Sequence, residues 1–255
     1  MASLSKISAA DLVTLANGLL GFVAITLILD NKYIAASTIL FLSLIMDGLD
    51  GYVARRFGSK HSKGQVLDSI SDSISFVFAP ALLVYAEFRE ADGLIAENAI
   101  VLACSLAILS TGLFRLARFS AGGYQLTYFV GMPAPAGALL VVLMCLLFGT
   151  SVSAEPARYY YNLDELQWLV IGVGFLASIL MASEIKYPKI RGKMVLLTGF
   201  ALLLAVLPSL LAPALVSDQS LYTAFSRTAT GTALALALVY VFGGPIYEKL
   251  EGDKS

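Results

Sequence analysis

The stretch from Asp47 to Asp72 constrains this chain more than any other part of the sequence. It contains four aspartates within 26 residues, at the ends of two segments that otherwise have the composition of membrane-spanning helices. A charged side chain at bilayer depth costs roughly 2.5–3.5 kcal/mol or more. Because packing alone gives no reason to keep four such charges together, they predict a shared ligand that removes their repulsion, most simply divalent metal.

The composition around this stretch is that of an integral membrane protein. Of the 255 residues, 58% are hydrophobic and only 14% are charged, and the mean hydropathy is +0.81. A soluble domain of this size needs far more polar surface. The net charge of −1 provides no clustered excess of cations, so nucleic acid is not expected as a partner.

Windows of about 20 apolar residues predict about eight transmembrane helices. They lie at 11–29, 33–54, 67–86, 97–118, 132–149, 166–183, 193–214 and 221–243. No segment has the alternating pattern with turns that a membrane barrel requires. We therefore predict an all-α integral membrane protein whose single domain covers 1–255. Its catalytic core is expected at about 12–183, followed by two structural helices at about 193–243.

Lysine and arginine are distributed unequally between the two sets of predicted loops. With a cytoplasmic N-terminus, thirteen lie on the inside: Lys6, Arg55, Arg56, Lys60, Lys63, Arg115, Arg118, Lys186, Lys189, Arg191, Lys193, Lys249 and Lys254. The outside has four: Lys32, Arg89, Arg158 and Arg227. The positive-inside rule therefore predicts that both termini and the aspartate-rich stretch face the cytoplasm, in a multi-pass protein of the cell membrane.

Helical spacing predicts that the four aspartates converge. Asp47 and Asp50 share one face of their helix with the small residues Gly51 and Ala54, at offsets of three, four and seven. The two later aspartates are four residues apart and share a face of the next helix. Since a short loop joins these helices, they are expected to be antiparallel neighbours, with their four carboxylates at the cytoplasmic boundary of the membrane.

Four carboxylates in this position suit hard cations such as Mg²⁺ or Mn²⁺. Two such ions could clamp a diphosphate and stabilise its attacking and leaving oxygens. The small side chains of Gly51 and Ala54 leave room for a flat or bulky group against the helix. Arg55 would supply positive charge to phosphate oxygens, and Gly64 permits a close approach to the backbone.

These residues resemble the CDP-alcohol phosphotransferase family. They match without gaps its pattern D-x2-D-G-x2-A-R-x8-G-x3-D-x3-D, whose fixed places hold Asp47, Asp50, Gly51, Ala54, Arg55, Gly64, Asp68 and Asp72. The resemblance implies a two-metal active site, a CDP-linked donor and an alcohol acceptor. It also implies a homodimer.

The resemblance assigns a role to each of these residues. It implies that the four aspartates are metal ligands and that Asp72 is also the general base that takes the proton of the alcohol, which is otherwise a poor nucleophile. It implies that Gly51, Ala54, Arg55 and Gly64 line the nucleotide site. Asn17, in the run LANGLLGF, resembles an asparagine that faces this site in the family, although a polar contact between helices would also explain it.

Three further stretches resemble the phosphatidylserine synthase branch of the family, over about residues 12 to 145. They are DSISDSISFVFAPALLVY, GLFRLARFS and YFVGMPAPAGA. This implies transfer of a phosphatidyl-type group from CDP-diacylglycerol or CDP-archaeol to the hydroxyl of L-serine, with release of CMP. Arg115 and Arg118, one turn apart, could hold the serine carboxylate or a donor phosphate; a positive-inside anchor is the alternative for this pair.

Two other functions compete with serine transfer. The same donor could react with glycerol 3-phosphate or inositol phosphate, but a phosphorylated acceptor should need a denser basic pocket than two arginines. A cation transporter would also use acids inside the membrane, but it predicts acids spread over several helices toward the bilayer centre. The type of lipid tail and the preferred metal are left open by the sequence.

Overall fold

The computed structural model describes residues 8–57, 62–90, 94–122, 127–148, 163–189 and 219–252. These residues are almost entirely helical, which confirms the all-α fold class. In chain order the helices are α1 (Ala9–Leu29), α2 (Tyr33–Phe57), α3 (Ser62–Asp72), a π-helical segment π1 (Ser73–Phe78), α4 (Ala79–Phe88), α5 (Ile95–Ser120), α6 (Ala134–Phe148), α7 (Leu163–Ala182), α8 (Gln219–Leu238), a second π-helical segment π2 (Val239–Gly243) and α9 (Gly244–Gly252).

Within the described residues, five helical runs are long and apolar enough to cross a membrane. They are Ala9–Leu29, Tyr33–Val53, Gly64–Phe88, Ile95–Ser120 and Arg227–Leu250. Two shorter apolar helices, Ala134–Phe148 and Leu166–Ala182, match two further predicted spans. Seven of the eight predicted spans therefore overlap a helix, and the span at 193–214 lies outside the described residues. The total of eight and the location of the termini stay predictions.

Helix α1 begins at a capping box. The Ser8 hydroxyl accepts a hydrogen bond from the Asp11 backbone N–H at 3.1 Å, and the Ser8 N–H donates to the Asp11 carboxylate at 2.9 Å. Such reciprocal bonds satisfy backbone donors that a helix start leaves without partners. The connection to α2 is a tight turn in which Asn31 has a φ of 58°. The first two helices are therefore antiparallel and pack along each other.

The predicted span 67–86 is one continuous helical run with a π-helical turn in its middle. The N–H of Ala79 donates to the carbonyl of Ile74, five residues back. Pro80, at the start of α4, has no N–H to donate, so the regular hydrogen-bond ladder cannot continue unchanged past this point. This run places Asp68 and Asp72 at its beginning and packs its buried side chains against α1, α5 and α6.

Two glycines let α1 approach this run closely. A Cβ atom added to Gly18 would lie 2.9 Å from the Ser71 Oγ, and one added to Gly21 would lie 2.8 Å from the Ser75 Cα. Membrane helices commonly use small residues in this way, because the backbones can then pack directly. The polar side chains on the same face of α1 are consequently held against α2 and α3.

A two-stranded antiparallel sheet, which the sequence did not predict, joins α6 to the end of α7. Strand β1 (Tyr128–Val130) pairs with β2 (Lys186–Pro188), with Phe129 opposite Tyr187. After β1 the chain turns at Gly131, which has a φ of 76°. The Gly131 N–H donates to the Ile185 carbonyl at 2.8 Å, and the Met132 N–H donates to the Leu180 carbonyl at 3.0 Å. These bonds hold the sheet at one end of the bundle.

The close approach of α1 gives a test of the fold. We expect Gly21→Ala to lower the stability by about 1–3 kcal/mol, because the added methyl group overpacks a contact with the Ser75 backbone. Gly172→Ala is the control, since a Cβ there meets no described atom within 4 Å and alanine favours a helix. Thermal unfolding of the two purified variants in detergent measures the difference; equal melting temperatures would contradict the packing.

Candidate active site

Three of the four predicted carboxylates meet between α2 and α3. One carboxylate oxygen from each of Asp47, Asp50 and Asp68 lies within 4.8 Å of the other two. Asp50 is buried, and the other two are half-buried. Asp47 and Asp50 share a face of α2 because they are three residues apart, and α3 brings Asp68 opposite them. Hard oxygen ligands in this number fit Mg²⁺ or Mn²⁺, so this cluster could hold a divalent cation.

The fourth aspartate, Asp72, stands one turn further along α3 and is not part of that three-oxygen cluster. It is 7% exposed, and its Oδ1 accepts a hydrogen bond of 3.1 Å from the Asn17 side-chain amide. Its charge interacts with those of the three clustered aspartates and with that of Arg115. The structure thus gives Asp72 a different environment from the other three, with one oxygen oriented by α1.

Asn17 is held in a single orientation by serines from two other helices. Ser43 of α2 donates a short hydrogen bond to the Asn17 side-chain oxygen, and Ser75 of π1 donates to the Asn17 backbone carbonyl at 2.9 Å. Since the side-chain oxygen is occupied by Ser43, the amide nitrogen is the end that faces Asp72. Sequence reasoning missed both serines; isolated hydroxyls on the buried faces of apolar helices are the signal that could have found them.

Thr14, one turn before Asn17 on α1, makes the same kind of contact with α2. Its hydroxyl lies 2.6 Å from Asp50 Oδ2 and 3.0 Å from the Ala10 carbonyl oxygen, so the hydroxyl proton is shared between a carboxylate and the helix backbone. Both Thr14 and Asp50 are buried. Sequence reasoning missed Thr14 too, although its spacing of three from Asn17 places the two side chains on one face of α1.

The residues predicted for the nucleotide site are placed less completely. Gly51 is half-buried on α2, directly after Asp50. Ala54 and Arg55 belong to the last turns of α2, but their side chains lie outside the described part of the chain. A Cβ atom on Gly64 would lie 3.0 Å from the Asp11 carboxylate. This glycine therefore brings the first turn of α3 close to the capped end of α1.

Arg115 faces the aspartates from α5. Its side chain is 5% exposed, and its charge interacts with the carboxylates of Asp72 and Asp47. The guanidinium lies over two aromatic rings, 5.1 Å from the centroid of Phe119 and 5.3 Å from that of Phe129. Contacts of this kind favour a cation that has been removed from water, so the two rings help to stabilise the buried guanidinium.

Arg118, one turn later, has a different environment. Its Nη2 donates to the carbonyl oxygens of Val130 at 2.8 Å, and of Met181 and Ser183 at 3.2 Å each. It therefore ties β1 to the end of α7. Both arginines line a cavity of about 260 Å³ whose other walls include Phe119, Tyr128, Phe129 and Val130. The two arginines that the sequence singled out therefore line one cavity. Within the described contacts, only Arg115 also interacts with the aspartates.

Known proteins are similar to this chain over most of its length. A family model described as CDP-alcohol phosphatidyltransferase matches residues 7–180. A CDP-diacylglycerol–serine O-phosphatidyltransferase of Methanocaldococcus jannaschii is 38% identical over 194 residues, which are 76% of this chain and 80% of that protein. An archaetidylserine synthase of Methanothermobacter thermautotrophicus is 32% identical, over 74% of this chain and 72% of that protein. A CDP-diacylglycerol–serine O-phosphatidyltransferase of Bacillus subtilis is 30% identical, over 71% and 89%.

The contact between Thr14 and Asp50 predicts a measurable effect on metal binding. We expect Thr14→Val to weaken Mn²⁺ binding by roughly 10- to 100-fold, because groups that orient a ligating carboxylate typically contribute that much. Titration of the purified protein with Mn²⁺ in the absence of any lipid substrate measures it.

Two matched variants control for the change in side chain. Thr14→Ser keeps the hydroxyl and is expected to bind Mn²⁺ like the wild type. Thr26→Val removes an exposed hydroxyl of the same helix, which donates only to the Val23 carbonyl, and is expected to have no effect. Mn²⁺ affinity that is the same in Thr14→Val and the wild type would show that this bond does not support a metal site.

Proposed function

The chain belongs to the CDP-alcohol phosphatidyltransferase family, and we propose that it transfers the phosphatidyl-type group of a CDP-linked lipid to the hydroxyl of L-serine. It is a transferase of phospholipid biosynthesis and a multi-pass membrane protein. Curated relatives that are 30–38% identical over most of the chain are named for serine as the acceptor. One observation carries the proposal. Asp47, Asp50 and Asp68 form a cluster, whereas Asp72 lies outside it and accepts a hydrogen bond from Asn17.

In the proposed reaction Asp72 acts as the general base. The serine hydroxyl gives its proton to the carboxylate of Asp72, and its oxygen forms a bond to the phosphorus that carries the lipid. The bond from that phosphorus to the bridging oxygen breaks, and CMP leaves with the electron pair. Because Asn17 holds Oδ1, we assign the proton to Oδ2. A base within hydrogen-bond reach contributes about 10²- to 10⁴-fold to such a reaction.

Asp47, Asp50 and Asp68 would hold divalent metal, with Asp72 as a further ligand; four carboxylates provide for two ions, Mg²⁺ or Mn²⁺. When bound, such ions supply positive charge to the oxygens of a diphosphate. The protein's part is to keep the carboxylates oriented, which Thr14 does for Asp50. Gly51, Ala54, Arg55 and Gly64 are proposed to line the cytidine diphosphate part of the donor, with Asn17 at the junction between donor and base.

The cavity at Arg115 is the proposed acceptor site. It adjoins Asp72 through Arg115, whose guanidinium can pair with the carboxylate of serine. Its volume of about 260 Å³ is large enough for serine. Among the described lining residues, Arg115 and Arg118 are the basic ones, and a phosphorylated acceptor should need a denser basic pocket. Arg118 lines the same cavity and is proposed to help to bind the acceptor. Its Nη2 already donates to backbone carbonyls around the cavity.

We also propose that the active site faces the cytoplasm at the cell membrane, on the strength of the unequal distribution of lysine and arginine, and that the enzyme is a homodimer, as the family resemblance implies. An ion-transport function is disfavoured because Asp47, Asp50, Asp68 and Asp72 lie together on the adjoining helices α2 and α3. A transport pathway would need them along several helices toward the bilayer centre.

The base assignment predicts the effect of one substitution. Asp72→Asn is expected to lower turnover by about 10²- to 10⁴-fold, because the amide cannot accept the serine proton, while binding of the CDP-linked donor is largely retained. Asp30→Asn is the control, since Asp30 is exposed and its carboxylate pairs with Lys32 at 3.2 Å. CMP release and donor binding by the purified variants give the two quantities. A turnover rate of Asp72→Asn close to that of the wild type would rule out Asp72 as the general base.

The acceptor is tested directly by CMP release from the wild-type protein with Mn²⁺ or Mg²⁺. CDP-diacylglycerol and CDP-archaeol are each offered with L-serine, glycerol 3-phosphate or inositol phosphate. We expect release that depends on serine and exceeds that with either phosphorylated acceptor. Absence of serine-dependent release with both donors would refute serine as the acceptor, and release with another alcohol would identify the alternative.

A further inference from the structure

The part of the chain that follows the family-model match packs against residues that line the Arg115 cavity, because β2 pairs with β1 and Lys189 lies over the rings of Phe119 and Phe129. The match ends at residue 180, whereas β2, π2 and α9 come later and pack together. We propose that this C-terminal part determines the affinity for the acceptor, and that Tyr240 of π2 is a positioning residue that holds β2 in place. The inference rests on the proposed function, in which this cavity takes the serine.

The first step is that the sheet sets the position of two cations. Phe129 lies in β1, and its ring centroid is 5.6 Å from that of Phe119. Lys189 directly follows β2, and its ammonium lies 5.4 Å from the Phe119 centroid and 5.1 Å from that of Phe129. Arg115 lies over the same two rings. Because one aromatic pair contacts both cations, a shift of either strand would change the positive charge that the cavity offers to a carboxylate.

The second step is that helix residues from the C-terminal part hold β2. The Tyr240 hydroxyl donates to the Pro188 carbonyl at 3.2 Å, and its ring centroid lies 6.0 Å from that of Tyr187. A Cβ atom on Gly244 would lie 3.1 Å from Pro188 Cδ, so the start of α9 packs directly on the strand. Tyr240 therefore reaches the residue that immediately precedes Lys189.

The third step is that Tyr240 contacts the acceptor side of the site. Its hydroxyl bonds to β2 through the Pro188 carbonyl, whereas Asp50 and Asp72 accept hydrogen bonds from Thr14 and Asn17 of α1. Tyr240 lies in a π-helical turn, a distortion that is frequent at functional sites in helical proteins. Loss of its hydroxyl should loosen β2 and with it Lys189 and Phe129. The metal and donor positions should not change.

The test compares two Tyr→Phe variants in steady-state kinetics with serine and the CDP-linked donor. Tyr240→Phe is expected to raise the KM for serine about fivefold, which corresponds to about 1 kcal/mol, with kcat and the donor KM within about twofold of the wild type. Tyr187→Phe is the matched control, because the Tyr187 hydroxyl is buried and has no hydrogen-bond partner among the described residues. It is expected to have the KM of the wild type.

The outcomes separate this inference from the proposed function. An unchanged serine KM in Tyr240→Phe overturns the inference, and so does an equal rise in both variants, which would assign the effect to the aromatic wall in general. A fall in the kcat of Tyr240→Phe with every substrate would show that Tyr240 is needed for the stability of the protein, and this result also overturns the inference. If the wild type releases no CMP in response to serine, the proposed function fails first, and the inference fails with it.

Discussion

Two buried hydrogen bonds from α1 to carboxylates on neighbouring helices are the interaction on which the rest of the site depends. A carboxylate inside a helical bundle has lost much of its hydration, and it needs both a partner and a fixed orientation. Thr14 supplies them to Asp50, and Asn17 supplies them to Asp72. The bond to Asp72 requires α1 to lie closer to α3 than ordinary side chains allow. The glycines of α1, facing Ser71 and Ser75, make that distance possible.

The positive side of the site is built by a different principle. Arg115 is held by aromatic rings and by the field of the acids, so its guanidinium can stay charged while it is buried. Arg118, only one turn away, donates to three backbone carbonyls and so joins the loop before α6 to the end of α7. Arg115 and Arg118 thus have different roles, although they are one turn apart. The role of each depends on whether acids or backbone carbonyls lie near its guanidinium.

The agreement between sequence and structure follows the strength of each physical signal. Long apolar runs predicted seven helices that the structure describes, since hydrophobic length depends on composition alone. The convergence of Asp47, Asp50 and Asp68 followed from helical spacing and a short connection, and the family that the same spacing resembled is confirmed by comparison. The hydroxyls of Thr14, Ser43 and Ser75 were missed, because single polar residues in apolar helices look alike until the helices are packed. The strands β1 and β2 were missed because three residues are too few for a strand pattern.

By itself, the sequence determined that this is a helical membrane protein of a known transferase family, with acids at the adjoining ends of two predicted spans. Those features depend on composition and on spacing along one or two helices, which local sequence contains. Only the tertiary structure decided which oxygens meet, that Asp72 stands apart from the other three aspartates, and that Arg118 ties backbone segments together. These depend on distances between helices far apart in the chain. The close packing of small residues sets such distances, and no periodic pattern records them.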